Sequence, residues 1–166
     1  MPRWTPFAKG CGMNDWLEFF EHTITTIQEQ LSVVLDASGC REGWLQGEFF
    51  RAGVSRQLQV NRHSLGDGTK ADLSCSEPAM VAELKVVGAL DSTKMQGLIE
   101  RDVERMRQQR REGVDAYMIL VVPDRESPPN KLDTFLRQCD FPNCQMVVKK
   151  YPQFTVKIWQ LKPESA

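Results

Sequence analysis

The sequence predicts an α/β fold, a mixed β-sheet flanked by α-helices, with a helical extension at its N-terminal end. Two observations carry that expectation. Segments whose apolar residues recur at helical spacing are interleaved with short runs that alternate in polarity or are wholly apolar, as strands do. The segments 80–88 and 116–123 both read as strands and are separated by a helical one, and a strand, crossover helix, strand succession makes a parallel pair. A chain of 166 residues, 41% hydrophobic and 26% charged, is too small for two sizeable cores, so residues 1–166 are expected to form one domain.

The elements follow in order. In "NDWLEFFEHTITTIQEQLSVVLDASG", Asn14 or Asp15 is suited to cap a helix whose apolar stripe holds Trp16, Phe19, Phe20, Ile24, Ile27, Leu31, Val34 and Leu35 and which ends near Gly39. This segment makes residues 1–38 the helical extension. A second helix, "REGWLQGEFFRAG", carries Trp44, Leu45, Phe49 and Ala52 on its apolar side, with Glu48 one turn from both Trp44 and Ala52. "SRQLQVNRH" alternates weakly, Asp67-Gly68 is a hairpin-turn signal, and "KADLS" is the returning antiparallel strand. The string "GDGTK" lacks the spacing of a phosphate-binding loop and opens no helix. After the strand Met80–Gly88, "DSTKMQGLIERDVERMRQQRREG" starts with a cap at Asp91 or Ser92, sets Met95, Ile99, Asp102 and Met106 on one stripe and stops at Gly113. "AYMILVVP" reads as a fully buried strand, "NKLDTFLRQCD" as a helix, and "CQMVVKKYPQFTVKIWQL" as a strand or a hairpin bent near Pro152.

Composition narrows the functional classes. No secretory apolar region appears in "MPRWTPFAKGCG" and no apolar run approaches the ~20 residues of a membrane span, so a cytoplasmic protein without a membrane partner is expected. Five scattered cysteines, Cys11, Cys40, Cys75, Cys139 and Cys144, contain no C-x-x-C and indicate neither a disulfide framework nor a zinc ribbon. Two histidines, His22 and His63, argue against a His-rich metal site and leave a hard-cation site built from carboxylates. A formal net charge of −1 lacks the strongly basic footprint of many nucleic-acid binders, so local sites must carry the function. Locally, Arg51, Arg56, Arg62 and Lys70 precede the strand at 80–88, and Arg101, Arg105, Arg107, Arg110 and Arg111 follow it.

That strand, "MVAELKVVG", poses the sharpest question. Met80, Ala82, Leu84 and Val86 form one apolar face, while Glu83 and Lys85 share the other with Val81 and Val87. A central strand covered on both faces is ordinarily continuous hydrophobics, and a buried unpaired charge costs about several kcal/mol. An isolated Glu-x-Lys is most simply an exposed ion pair. Here Asp72 lies on the adjacent strand and Glu48 on the preceding helix. Either this second face is wet or it opens onto a site, and the resemblance given next implies that it looks into a cleft.

Three antiparallel strands, a crossover helix and a buried strand, with "ADLSCSEPAMVAELKV" supplying Asp72, Glu83 and Lys85, resemble the core of the PD-(D/E)XK nuclease superfamily, the restriction-endonuclease-like fold. The resemblance covers roughly residues 40–122 and lies in pattern rather than extended identity; Ala71, not proline, precedes the first acid. It implies metal-dependent hydrolysis of phosphodiester bonds in nucleic acid, with DNA the expected substrate. Asp72, Glu83 and the Leu84 carbonyl would hold Mg²⁺ or Mn²⁺, with Glu48 as the additional acid, and Lys85 would orient or help deprotonate the attacking water. Gln57, Gln59, Lys94 and Gln96 are further candidates for contact with phosphate or bases. Cutting both strands of a duplex would suit a homodimer.

Two other readings compete. A catalytically inactive module of the same fold would bind protein or nucleic acid, with Trp4, Trp16, Phe19 and Phe20 as docking candidates. A Cys/His hydrolase would need Cys75 and His63 in contact, which nothing in the sequence specifies.

Overall fold

The computed structural model describes residues 15–37, 39–88, 93–124, 131–138, 141–142 and 144–162. Two helices come first, α1 (Asp15–Asp36) and α2 (Arg41–Gly53), then three strands, β1 (Gln59–His63), β2 (Lys70–Ser76) and β3 (Ala79–Val86). Helix α3 (Thr93–Gln109), strand β4 (Asp115–Pro123), helix α4 (Lys131–Gln138) and strands β5 (Cys144–Lys150) and β6 (Phe154–Leu161) follow. The strands form one open six-stranded mixed sheet in the order β1-β2-β3-β4-β6-β5. Only β3 and β4 are parallel, and they occupy the centre, as the crossover helix between them requires. Among the described residues no helix is long and apolar enough to cross a membrane.

Alternation along β3 layers the molecule. Met80, Ala82, Leu84 and Val86 enter a core shared with α1 and α2, whereas Val81 and Val87 enter a second core with Ile99, Val103 and Met106 of α3 and Leu136 of α4. The central run of β4 serves both cores: Tyr117, Ile119 and Val121 face the first, and Ala116, Met118 and Leu120 the second. On the second face Lys157 of β6 donates to the Leu136 carbonyl at 2.6 Å and so satisfies a backbone acceptor of α4.

The first core is built on aromatic rings. Phe20, fully buried, meets Phe49 of α2 at 5.3 Å and Tyr117 of β4 at 5.5 Å, both edge to face, the arrangement ring quadrupoles favour. Trp16 Nε1 donates to the Pro78 carbonyl at 3.1 Å, fastening α1 to the turn before β3. Trp16, Phe19 and Phe20 thus belong to the core of the chain itself and offer no docking surface; Trp4 lies outside the described residues.

Several boundaries differ from expectation. The strand read from Ser55 begins at Gln59, because Val54–Arg56 forms a 3₁₀ turn and Gln57 adopts a left-handed conformation (φ 59°). Leu58 then folds back on α2, its Cβ 2.7 Å from where a Cβ on Gly53 would lie, so only glycine admits this approach. Helix α3 ends at Gln109 rather than Gly113; the Gln109 carbonyl accepts the Gly66 N–H at 2.6 Å, and Gly113 (φ 75°) turns the chain into β4. The last segment is a hairpin, closed by a 2.8 Å bond from the Tyr151 N–H to the Phe154 carbonyl. The cap candidates Asn14, Asp91 and Ser92 lie outside the described residues.

Because Phe20 joins α1 to both α2 and the sheet, Phe20→Ala is expected to lower stability by about 3–5 kcal/mol. Urea denaturation followed by far-UV circular dichroism checks this, and a loss below about 1 kcal/mol would show α1 to be peripheral.

Candidate active site

The hydrogen-bond ladder of the sheet is interrupted at one residue. On one side of Asp72, β1 and β2 pair at Val60↔Leu73 and Arg62↔Ala71 but skip Asn61, which opposes Asp72 and is left-handed (φ 51°). On the other side, β2 and β3 pair from Ser76↔Ala79 to Leu73↔Ala82 and then stop. Side chains take over the backbone groups so released. Gln46 Nε2 of α2 donates to the Asp72 carbonyl at 2.8 Å and lies 3.2 Å from Asn61 Oδ1, and Asp72 Oδ2 accepts the Leu84 N–H at 2.8 Å. The gap is where the acidic side chains collect.

By strand register Glu83 is opposite Asp72 and on the same face, so the two carboxyl groups are neighbours. Burial, then the charge and hydrogen bond of Asp72, push Glu83 up to about 9, against the pull of Arg105 and Lys85. At neutral pH Glu83 therefore keeps its proton. Arg105 Nη2 of α3 sits 2.5 Å from Glu83 Oε1 and 3.5 Å from Asp102 Oδ1. Lys85 Nζ is 3.0 Å from Asp102 Oδ2, 3.0 Å from the Leu84 carbonyl and 3.9 Å from Glu42 Oε1. Burial alone would lower the Lys85 ammonium, but Glu42, Asp102 and Asp72 outweigh it and hold its pKa above the ordinary lysine value. Glu42 is raised, first by burial and then by Asp72 and Asp102, although Lys85 and the Val86 N–H oppose the shift.

The structure thus brings Asp72, Glu83, Leu84 and Lys85 together. Glu48 instead pairs with Arg51 one turn along α2, and the acid that α2 delivers to Lys85 is Glu42. A signal for Glu42 existed: it is i,i+3 and i,i+7 with Leu45 and Phe49, both fully buried, so it shares the sheet-facing stripe. Gln46 carried no such signal. Asp102 and Arg105 make the expected i,i+3 pair but also neutralise β3.

The charged face does not open onto a wide cleft here, since α3 covers it and Glu83 is only 3% exposed. Gln57 belongs to the turn before β1, and Gln96 bonds Glu100 on α3 at 3.0 Å. Cys75 Sγ donates to the Arg56 carbonyl at 3.1 Å and His63 Nδ1 bonds the Gly68 carbonyl. Both residues border one cavity, but each is engaged by a backbone carbonyl and not by the other, which does not suit a nucleophile and its base.

As donors, two carboxylates, a third from α2 and a backbone carbonyl are the hard oxygens that suit Mg²⁺ or Mn²⁺. The raised carboxyl of Glu83 beside Asp72 marks a place where a cation relieves repulsion. Among the described residues no three Asp, Glu, His or Cys side chains converge into a ready ligand set, and the Lys85 ammonium and Arg105 guanidinium hold acceptors that a metal would use. No protein-family model, curated protein or solved structure matches this chain.

A carboxyl raised from 4.5 to about 9 keeps its proton in the folded chain while the unfolded chain has lost it, so its contribution to stability falls as pH rises through that window. Glutamine mimics the protonated acid. In chelator-containing buffer Glu83→Gln is expected to melt at a higher temperature than wild type at pH 8, with the difference shrinking toward pH 5. Parallel melting curves across that range would contradict the raised Glu83 carboxyl.

Proposed function

We propose that this chain is a PD-(D/E)XK-type, restriction-endonuclease-like enzyme that hydrolyses phosphodiester bonds of nucleic acid, DNA in the first instance, with Mg²⁺ or Mn²⁺. One observation carries the reading: Asp72 of β2 meets Glu83 and Lys85 of β3 where the central sheet's ladder is broken. Asp72, Glu83 and the Leu84 carbonyl would hold the metal, with Glu42 as the acid from α2 in the place expected of Glu48. The metal would supply positive charge for the anionic phosphate and activate a water.

The protein's own groups divide the remaining work. Asp72 is held by the Leu84 N–H, so its carboxylate is oriented before any ligand arrives. Lys85, raised by its acidic neighbours, remains an ammonium at neutral pH; it suits orienting the attacking water and stabilising charge on the phosphate better than removing a proton. Asp102 fixes Lys85 and Arg105 fixes Glu83. The water oxygen bonds to phosphorus, the ester P–O bond breaks, and the products are a phosphate monoester and an alcohol. Two copies of the chain would cut opposite strands of a duplex.

A second reading, a non-catalytic module of the same fold that binds protein or nucleic acid, is favoured by the internal neutralisation of the acids and the burial of Glu83. Calorimetric titration of Mn²⁺ and Mg²⁺ into wild type and Glu83→Ala, with plasmid nicking on the same samples, separates the two. The enzyme reading expects binding and nicking that Glu83→Ala abolishes, and a Lys85→Ala variant that binds metal but nicks about 10²–10³-fold more slowly. A folded wild type that binds neither ion supports the module.

A further inference from the structure

One ladder step from the acids, the same sheet face is differently furnished. The row Asn61, Asp72, Glu83 is followed by Gln59, Ser74 and Val81, which the register sets side by side across β1, β2 and β3. This second row lines a cavity of about 310 Å³, bordered by Arg62 and His63 of β1 and by Arg111 in the turn after α3. No aspartate or glutamate lines it, although 22 of the 166 residues are acidic. Among the described residues neither Arg62 nor Arg111 pairs with an acid. Ser74 is 6% exposed and lines the same cavity. His63 Nδ1 is engaged by the Gly68 carbonyl, which leaves Nε2 as its second polar atom.

Two guanidinium groups, an imidazole and a buried hydroxyl stand over a floor that includes Cys75, Met80, Val81 and Val114, and the absence of carboxylates disfavours a hard metal cation. They match an oxyanion with several acceptor oxygens, and arginine's planar fork suits phosphate above all. Position narrows the ligand further. Val81 precedes Glu83 by two residues on one face, about 7 Å at roughly 3.4 Å per residue, and a nucleic-acid strand advances about 3.4 Å per nucleotide.

We infer that this pocket is a phosphate subsite that takes a backbone phosphate about two nucleotides from the bond to be cut at Asp72 and Glu83. The identity of its ligand rests on the nuclease reading; the oxyanion chemistry of the pocket does not. Such a contact positions the strand without reading its sequence. It also places positive charge where a chain of net charge −1 needs it to hold a polyanion.

The test compares the full wild-type chain with Arg62→Ala/Arg111→Ala in EDTA, by fluorescence anisotropy of a labelled 20-base-pair duplex over a salt series, and by calorimetric titration with pyrophosphate. Both arginines are exposed, so thermal stability should not change. The expected result is duplex affinity about tenfold or more lower in the variant on every sequence, and a log-log salt slope shallower by about 0.9 for one phosphate lost. Equal affinity and slope would overturn the pocket and leave the metallonuclease reading standing. Arginine-dependent binding of pyrophosphate by a protein that ignores the duplex would overturn the nucleic-acid assignment. A wild type that binds neither overturns the pocket whatever the plasmid assay shows.

Discussion

The Asp72 carboxylate accepting the Leu84 N–H is the contact on which the architecture of the site depends. A buried backbone N–H needs an acceptor, and between two paired strands that acceptor is ordinarily a carbonyl. Here the β2–β3 pairing ends at Leu73↔Ala82 and a side chain closes the ladder instead. The strands are thereby stitched together beyond their last regular pair. The acid is also held rigidly at the sheet's centre, next to a second acid on the same face. Gln46 performs the complementary substitution at the Asp72 carbonyl, and left-handed Asn61 completes the interruption on the β1 side.

Carboxylates gathered under a helix then need cations. Glu42, Asp72, Glu83 and Asp102 face Lys85 and Arg105, four acids against two bases, and the proton that Glu83 keeps offsets part of the excess. Breaking one partner of such a network leaves a buried charge exposed to its neighbours without compensation.

The two faces of the sheet have separate tasks. The face under α1 and α2 is apolar throughout β3 and is locked by Phe20, Phe49 and Tyr117, so it fixes the strands against which the site is measured. The face under α3 is apolar toward β4 and β6 but polar toward β2 and β1, where the acids and then the arginine-bordered cavity succeed one another. Helix α3 serves both halves: Ile99, Val103 and Met106 fill the core, and Asp102 and Arg105 reach the charged row. Its amphipathicity is thus divided between packing and neutralisation.

Strand alternation and helical spacing determined most of the layout: the parallel pair at the sheet centre, the antiparallel strands beside it, and the shared face of Glu83 and Lys85 all follow from period and order along the chain. Asp72 was legible as well, because it precedes Glu83 across a single hairpin and the side-chain period is two. Other features depended on contacts that local pattern does not encode. Glu48 and Glu42 lie on the same helix, and only the docking angle of α2 on the sheet decides that Glu42 approaches Lys85 while Glu48 turns to Arg51. The 3₁₀ turn before β1 depends on Leu58 folding onto Gly53, a contact between elements. The pairing of Arg105 with Glu83, 22 residues apart, likewise arises only when α3 is laid back over β3. Sequence period sets which face a residue occupies; which charge it meets there is set by how the helices pack, since electrostatic partners are chosen by distance in space.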